Sequence, residues 1–226
     1  MFKSLLSLLL KDNCPLCSRS ADHIICQDCE RRLHDCQFAN CNQFWQGDLP
    51  LFVWGVYGGE LKRAIASLKY NNHPELARPL GYWLGKAWSD ASPLRKKKKL
   101  TVVPIPIHKE RLQKRGFNQA ELLARSFCRY TGYSLAAKSL KRIKATEAFF
   151  NLNLQERKEQ IKDAFVIEKD LQRRHPSSSV LILDDIYTTG QTASEAARVM
   201  RKQGIDVVGI VTVAAREQAK MESKLN

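Results

Sequence analysis

Apolar and polar positions follow one another along this chain in two rhythms. Continuous apolar runs at residues 51–57, closed by Gly58-Gly59, and at 100–107, 180–183 and 205–213 read as strands. Between them, apolar residues recur at intervals of three and four: Leu61, Ala64, Ile65 and Leu68; Leu76, Leu80, Trp83, Leu84 and Ala87; Ala120, Leu123, Ala124, Phe127 and Cys128; Ala193, Ala196, Ala197 and Met200. Each set lays one apolar stripe along a helix. Pro104 and Pro106 remove two backbone donors, so they belong at the end of their strand or at a bulge. Asn118 with Glu121 forms a capping arrangement ahead of the third helix. Shorter strands are expected at 135–143 and 164–167, joined by a long basic loop, and the polar run 93–100, with four successive lysines, reads as an exposed linker. Strands alternating with helices predict an α/β fold around a mainly parallel sheet flanked by helices.

A chain of 226 residues holds one ordinary domain and a small appendage. No apolar run approaches the roughly 20 residues that span a bilayer, so no membrane span is expected. The short apolar stretch at 5–10 is followed by Lys11-Asp12-Asn13 where a signal peptidase needs small residues, which predicts a short helix of the mature chain and a cytoplasmic protein. Charge is distributed unevenly. Residues 1–60 carry five basic and seven acidic side chains, a net −2, so residues 61–226 carry +16 of an overall +14. Such an excess draws phosphates through a salt-sensitive field, which makes polyanionic ligands or nucleic acid plausible partners; a soluble basic surface is the plainer alternative.

Six of the seven cysteines fall within the first 41 residues, as Cys14-Pro-Leu-Cys17, Cys26-Gln-Asp-Cys29, Cys36 and Cys41. Two C-x-x-C pairs can bring four thiolates to one tetrahedral Zn²⁺, and a metal replaces much of the core that so short a segment cannot build. Cys14, Cys17, Cys26 and Cys29 are therefore the candidate ligands of a structural zinc. The second knuckle is expected to open a helix, as in a treble-clef finger or double zinc ribbon. Disulfides or a redox pair are the alternatives, and a reducing compartment argues against them. Cys36 and Cys41 stand too far apart for a tight knuckle and remain open to a second site, exchange with the first set, or no metal at all. Cys128 reads as a core residue. The expected division is a Cys-rich head at 1–48 and an α/β domain at 49–226.

In open α/β sheets ligands sit beyond the carboxyl ends of strands. Val180-Leu-Ile-Leu-Asp-Asp-Ile-Tyr-Thr-Thr-Gly-Gln-Thr192 is such a place: a strand, then two carboxylates, then hydroxyls and one glycine running into a helix. Thr188, Thr189 and Thr192 can donate to phosphate oxygens, Gly190 permits close approach, and the helix N-terminus supplies free N–H groups. Asp184 and Asp185 can accept from a sugar diol or help hold a Mg²⁺ chelated by the same ligand. A capped helix is the structural alternative, with Thr192 and Glu195 as its capping box.

This segment closely resembles the thirteen-residue fingerprint of type I phosphoribosyltransferases, which recognises phosphoribosyl pyrophosphate (PRPP). By that resemblance Asp184 and Asp185 contact the ribose hydroxyls, and Thr188, Thr189, Gly190 and Thr192 cradle the 5′-phosphate. Together with the cysteine-rich head and Val103-Pro-Ile-Pro-Ile-His-Lys-Glu-Arg-Leu-Gln-Lys-Arg-Gly-Phe-Asn-Gln119, it looks like the ComF/GntX family over nearly the whole chain. That family is associated with DNA uptake during natural transformation, and DNA binding is implied for some members. Arg115, Gly116 and Asn118 fall where phosphoribosyltransferases bind pyrophosphate. Lys69 is a weaker candidate for that role and reads as a surface lysine. Arg142, Thr146, Leu152 and Arg157 fit the family's pattern between the two short strands, whereas Phe149 and Gln160 depart from it. Phe149 and Phe150 are open to core packing or to base stacking.

Two functions follow from the resemblance and the charge. One is a PRPP-binding protein of DNA uptake that handles single-stranded DNA and meets proteins of the uptake machinery. The other is an active phosphoribosyltransferase moving the phosphoribosyl group to a nitrogen acceptor with Mg²⁺. His108 lies near the right strand end, but a lone histidine reads as structural, and no general base is assignable.

Overall fold

The computed structural model describes residues 13–94, 99–145, 161–168 and 179–216. The stretch at 5–10, lysines 96–98, Thr146, Phe149, Phe150, Leu152, Arg157 and Gln160 lie outside them. The described elements are α1 (Gln27–His34), β1 (Leu51–Val56), α2 (Gly59–Tyr70), a 3-10 turn (Pro74–Leu76), α3 (Ala77–Ala91), β2 (Leu100–Pro104), α4 (Lys109–Arg115), α5 (Gln119–Thr131), β3 (Ser134–Leu135), β4 (Leu140–Arg142), β5 (Phe165–Ile167), β6 (Ser179–Tyr187), α6 (Gln191–Lys202) and β7 (Val207–Ala215).

Five strands form one sheet in the order β1-β7-β6-β2-β3, every pairing parallel. Its strands read as unbroken apolar runs because both faces are covered. Phe52, Trp54, Leu181, Leu183 and Val211 face a layer made of α2, α3 and α5. Leu51, Val53, Val180, Ile182 and Ile210 face α6 and the small antiparallel pair β4–β5. Trp88 of α3 is wholly buried among Trp45, Phe52 and Phe127, and its indole N–H donates to the Tyr133 hydroxyl at 3.1 Å. α3 and α5 approach so closely at Gly81 that a Cβ there would lie 2.5 Å from the Leu123 carbonyl oxygen.

The head is joined to the edge of this sheet. Phe38 N–H donates to the Trp54 carbonyl (2.9 Å), Val53 N–H to Cys41 (3.0 Å) and Val56 N–H to Cys36 (2.9 Å), so the chain after α1 covers the outer side of β1. His34, at the end of α1, packs against Trp54 and Trp83 with ring centroids 5.8 and 4.7 Å away.

Four expectations change. The strand expected at 135–143 is two, β3 in the main sheet and β4 in the small one, because a turn closed by Ser139 N–H to Ala136 C=O (3.3 Å) redirects the chain. The basic stretch before Gly116, expected as a loop leading into the next helix, is itself helical, as α4, whose side chains are exposed or half-buried. The apolar run at 180–183 continues as strand through Tyr187, so Asp184 and Asp185 belong to β6 rather than following it. Asn118 caps α5 through the Ala120 N–H (3.1 Å) as expected, but Glu121 pairs with Arg125 instead of completing a box.

Candidate functional site

Strand order decides where a crevice can form. From β2 the chain crosses through α5 to β3, and from β6 it crosses through α6 in the opposite direction to β7, with α5 and α6 on opposite faces. The loops after β2 and β6 therefore part, leaving a cleft at their carboxyl ends. Ile105 N–H donates to the Leu183 carbonyl at 2.9 Å, which extends the β2–β6 pairing to the lip of that cleft. Asn118 Nδ2 donates to the Ile105 carbonyl at 3.0 Å and ties the far end of the 105–118 segment back to its start. Asn118 thus holds the loop and caps α5.

Neighbouring side chains on a strand point to opposite faces, so the two carboxylates of β6 meet different partners while remaining coupled to each other. Asp185 turns toward α2 and α5. It is 3% exposed, accepts from Gln119 Nε2 at 3.2 Å and forms an ion pair with Lys69. Burial raises its pKa, but the Lys69 ammonium and the donors around it outweigh this and hold it below the ordinary 3.8. Asp184 is half-buried, and its Oδ1 accepts the Asp185 N–H at 2.8 Å. Burial and the adjacent Asp185 charge push its pKa well above the ordinary value. Arg142, buried in β4 with its guanidinium 5.6 Å from the Phe165 ring centroid, feels Asp184 as well as Arg111; burial brings it down to about 10.

Cations enclose the carboxylates. Arg115 Nη1 donates to Gln119 Oε1, linking α4 to the Asp185 network, and burial lowers its pKa. Lys69 is 16% exposed at its side chain, which overturns its reading as a surface residue. Its sequence clue is position: Leu61, Ile65 and Lys69 are four residues apart, so the lysine continues an apolar stripe. Gln119 closes the 115–119 segment that the resemblance assigns to pyrophosphate, but its bond to Asp185 has no signal in the sequence, because that partner lies 66 residues away.

Gly190 caps α6 with φ +73°, and a Cβ there would collide with the Tyr187 ring. Thr188 is exposed and Thr189 and Thr192 are half-buried around this helix start. The N-cap of α6 is Gly190 rather than Thr192, and Glu195 bonds to the Asp163 N–H (2.7 Å) and to Arg198, so Thr192 and Glu195 do not form the capping box. Gly116 ends α4 in the left-handed conformation. His108 Nδ1 is buried without a hydrogen-bond partner among the described residues.

A second constellation lies in the head. The sulfur atoms of Cys14, Cys17, Cys26 and Cys29 all lie within 4.8 Å of one another. Zn–S bonds of about 2.3 Å place tetrahedral sulfurs about 3.8 Å apart, so a zinc fits this set. Backbone N–H groups of Cys17 and Ser18 turn back on the Cys14 carbonyl (3.3 and 2.8 Å) to form the first knuckle, and Cys26 opens α1. Burial raises the Cys14 thiol, but N–H donors from Cys26, Leu16 and Cys17 outweigh it and bring it down to about 7, favouring the thiolate a metal needs. Cys36 and Cys41 are outside the cluster. Cys41 sits 3.5 Å from the carbonyl oxygens of Phe38 and Trp54, and burial raises its pKa.

The fold and cleft define a doubly wound α/β protein with a four-thiol head, and the sequence comparisons place it further. The phosphoribosyl transferase domain profile matches residues 112–225, from α4 through β7 and beyond. The chain belongs to that family, as a ComF-family phosphoribosyltransferase-like protein. It is 28% identical to competence protein F of Haemophilus influenzae over 71% of this chain and 70% of that protein. It is 28% identical to DNA utilization protein YhgH of Escherichia coli O6:H1 over 87% of each, and 27% identical to competence protein ComFC of Bacillus subtilis over 84% of this chain and 72% of that one. Adenine phosphoribosyltransferase from Leishmania tarentolae aligns over 86% of this chain and 89% of its own, with 13% identity and a TM-score of 0.38.

Purified protein is expected to carry one zinc per chain by elemental analysis; Cys17→Ser and Cys26→Ser lose it, whereas Cys36→Ser keeps it. Lys69→Met leaves a buried carboxylate uncompensated and should cost about 3–5 kcal/mol in urea unfolding, largely regained by adding Asp185→Asn. The depressed Asp185 and raised Lys69 fix the pH window of that pair. Its contribution is full above 3.8 and below 10.5, fades as acid protonates Asp185, and fades again as alkali neutralises Lys69. The acid limb should be shallower in Lys69→Met.

Proposed function

We propose that the cleft binds PRPP with Mg²⁺ and that this binding serves the handling of single-stranded DNA during DNA uptake in the cytoplasm. The observation that carries the reading is the run from Asp184-Asp185 to Gly190 and α6, a pair of carboxylates leading into an open helix start inside the matched domain. Asp184 and Asp185 accept from the ribose hydroxyls; Thr188, Thr189, Gly190 and Thr192 receive the 5′-phosphate. Arg115 and Lys69 face the pyrophosphate end, and Gly116 and Asn118 shape the loop that presents Arg115. Mg²⁺, an oxygen-seeking ion, suits a site with two carboxylates and a chelating diphosphate. Held there by Asp184 and Asp185, it would offset the ligand's charge beside them.

The surroundings support a ligand of this charge. Asp185 rests on Lys69, so a diol that hydrogen-bonds Asp185 competes for a carboxylate already satisfied, while Asp184 takes the more available position. The same reading divides the chain into a zinc-bearing head at 1–48 and a phosphoribosyltransferase-like domain at 49–226. The names of the relatives, competence protein and DNA utilization protein, supply the biological context, and the +16 on residues 61–226 supplies the field for a nucleic-acid strand.

Calorimetry on the zinc-loaded protein should show Mg²⁺-dependent PRPP binding that the double variant Asp184→Asn, Asp185→Asn loses; heat from the intact protein that persists unchanged in the variant would refute the site. Single-stranded oligonucleotide affinity should fall linearly on a log–log plot against salt, with a slope of about −0.7 per phosphate neutralised. A flat plot would remove the DNA reading. Pyrophosphate release on adding nitrogen bases would convert the proposal from binding to transfer.

A further inference from the structure

Tyr70 is the most exposed large aromatic among the described residues, 75% open to solvent, yet it is not a loose side chain. It ends α2 immediately after Lys69, and the Arg115 guanidinium lies 5.5 Å from its ring centroid. A cation over one face fixes the ring and leaves the other face to solvent. Arg115 in turn donates to Gln119, and Gln119 donates to Asp185. The ring therefore stands two side chains from the carboxylate on the cleft floor. Lys114 and Arg111 project from the same exposed helix as Arg115.

From this arrangement we infer that Tyr70 is a stacking platform for an unpaired nucleobase of single-stranded DNA, with Arg111 and Lys114 of α4 holding the adjoining phosphates. Every base has a π-face, so an open tyrosine takes any of them, and the neighbouring arginines and lysines suit a phosphodiester rather than an uncharged ring. The inference rests on the DNA reading above and adds the residue that meets the base.

Tyr82 and Tyr130 offer a built-in control. They are also exposed, but pack edge to face on each other with centroids 5.0 Å apart. Tyr130 lies eleven residues along α5 from Gln119, about 17 Å from the cleft end of that helix.

The test uses the full zinc-loaded chain and an oligo-dT carrying one 2-aminopurine, whose fluorescence is quenched on stacking. Tyr70→Ala should weaken binding about 5- to 150-fold and abolish the quench, with the salt slope unchanged, while Tyr70→Phe and Tyr82→Ala behave as the intact protein. PRPP calorimetry on Tyr70→Ala should match the intact protein, which separates a lost platform from a lost fold. Oligonucleotide binding that Tyr70→Ala retains in full overturns the inference and leaves the DNA reading standing. An intact protein that binds no oligonucleotide at any salt overturns both. Quenching of free 2-aminopurine with PRPP present that Tyr70→Ala abolishes, without any effect of Tyr70→Ala on the oligonucleotide, overturns the strand assignment and makes Tyr70 an acceptor-base contact.

Discussion

A carboxylate buried at the carboxyl end of a central strand costs several kcal/mol unless its compensation is buried with it. Asp185 meets that cost with Lys69 from α2 and Gln119 from α5, and the geometry of the cleft follows. Lys69 must stay at the end of a helix that starts right after β1. Gln119 must stay at the first turn of α5, which Asn118 fixes through both its own cap and the Ile105 carbonyl. Arg115 hangs on Gln119, and Tyr70 is held by Arg115. One charge pair thus links three elements that lie far apart in sequence and sets the position of the cations at the cleft mouth.

A second ion network supports the opposite face. Glu195 of α6 is buried and accepts from the Asp163 N–H and from Arg198, while Arg198 also reaches the Asp163 carboxylate at 2.6 Å. The residues just before β5 are thereby pinned to the helix that begins at Gly190. Arg142, in the paired strand β4, enters the field of Asp184 from this side. Asp185 is governed by Lys69 and Gln119 of α2 and α5, whereas Asp184 answers chiefly to its burial and to the Asp185 charge beside it.

The head solves a different problem. β1 is an edge strand of a parallel sheet, and an uncovered edge invites pairing with another chain. The backbone between Cys36 and Cys41 takes up those hydrogen bonds, and α1 packs His34 on Trp54 and Trp83. A segment of this size has too little apolar mass to hold that conformation unaided, and four converging thiols supply the missing constraint. The other edge strand, β3, is only two residues long.

Periodicity and local chemistry alone determined the α/β class, the main helices, the two cysteine knuckles and the run of strand, carboxylates, glycine and helix from β6 into α6, because each of these is written within a window of a dozen or so residues. Even the helix stripe that ends in Lys69 is visible there, although its meaning is not. Tertiary structure decided what depends on distant partners: that Asp184 and Asp185 have different neighbours, that Lys69 is half-buried against Asp185, that Gln119 joins the site, and that residues 135–143 serve two sheets. Burial and electrostatic pairing are properties of elements brought together, and strand order, which places β2 beside β6 with crossovers leaving in opposite directions, has no local signature in the chain.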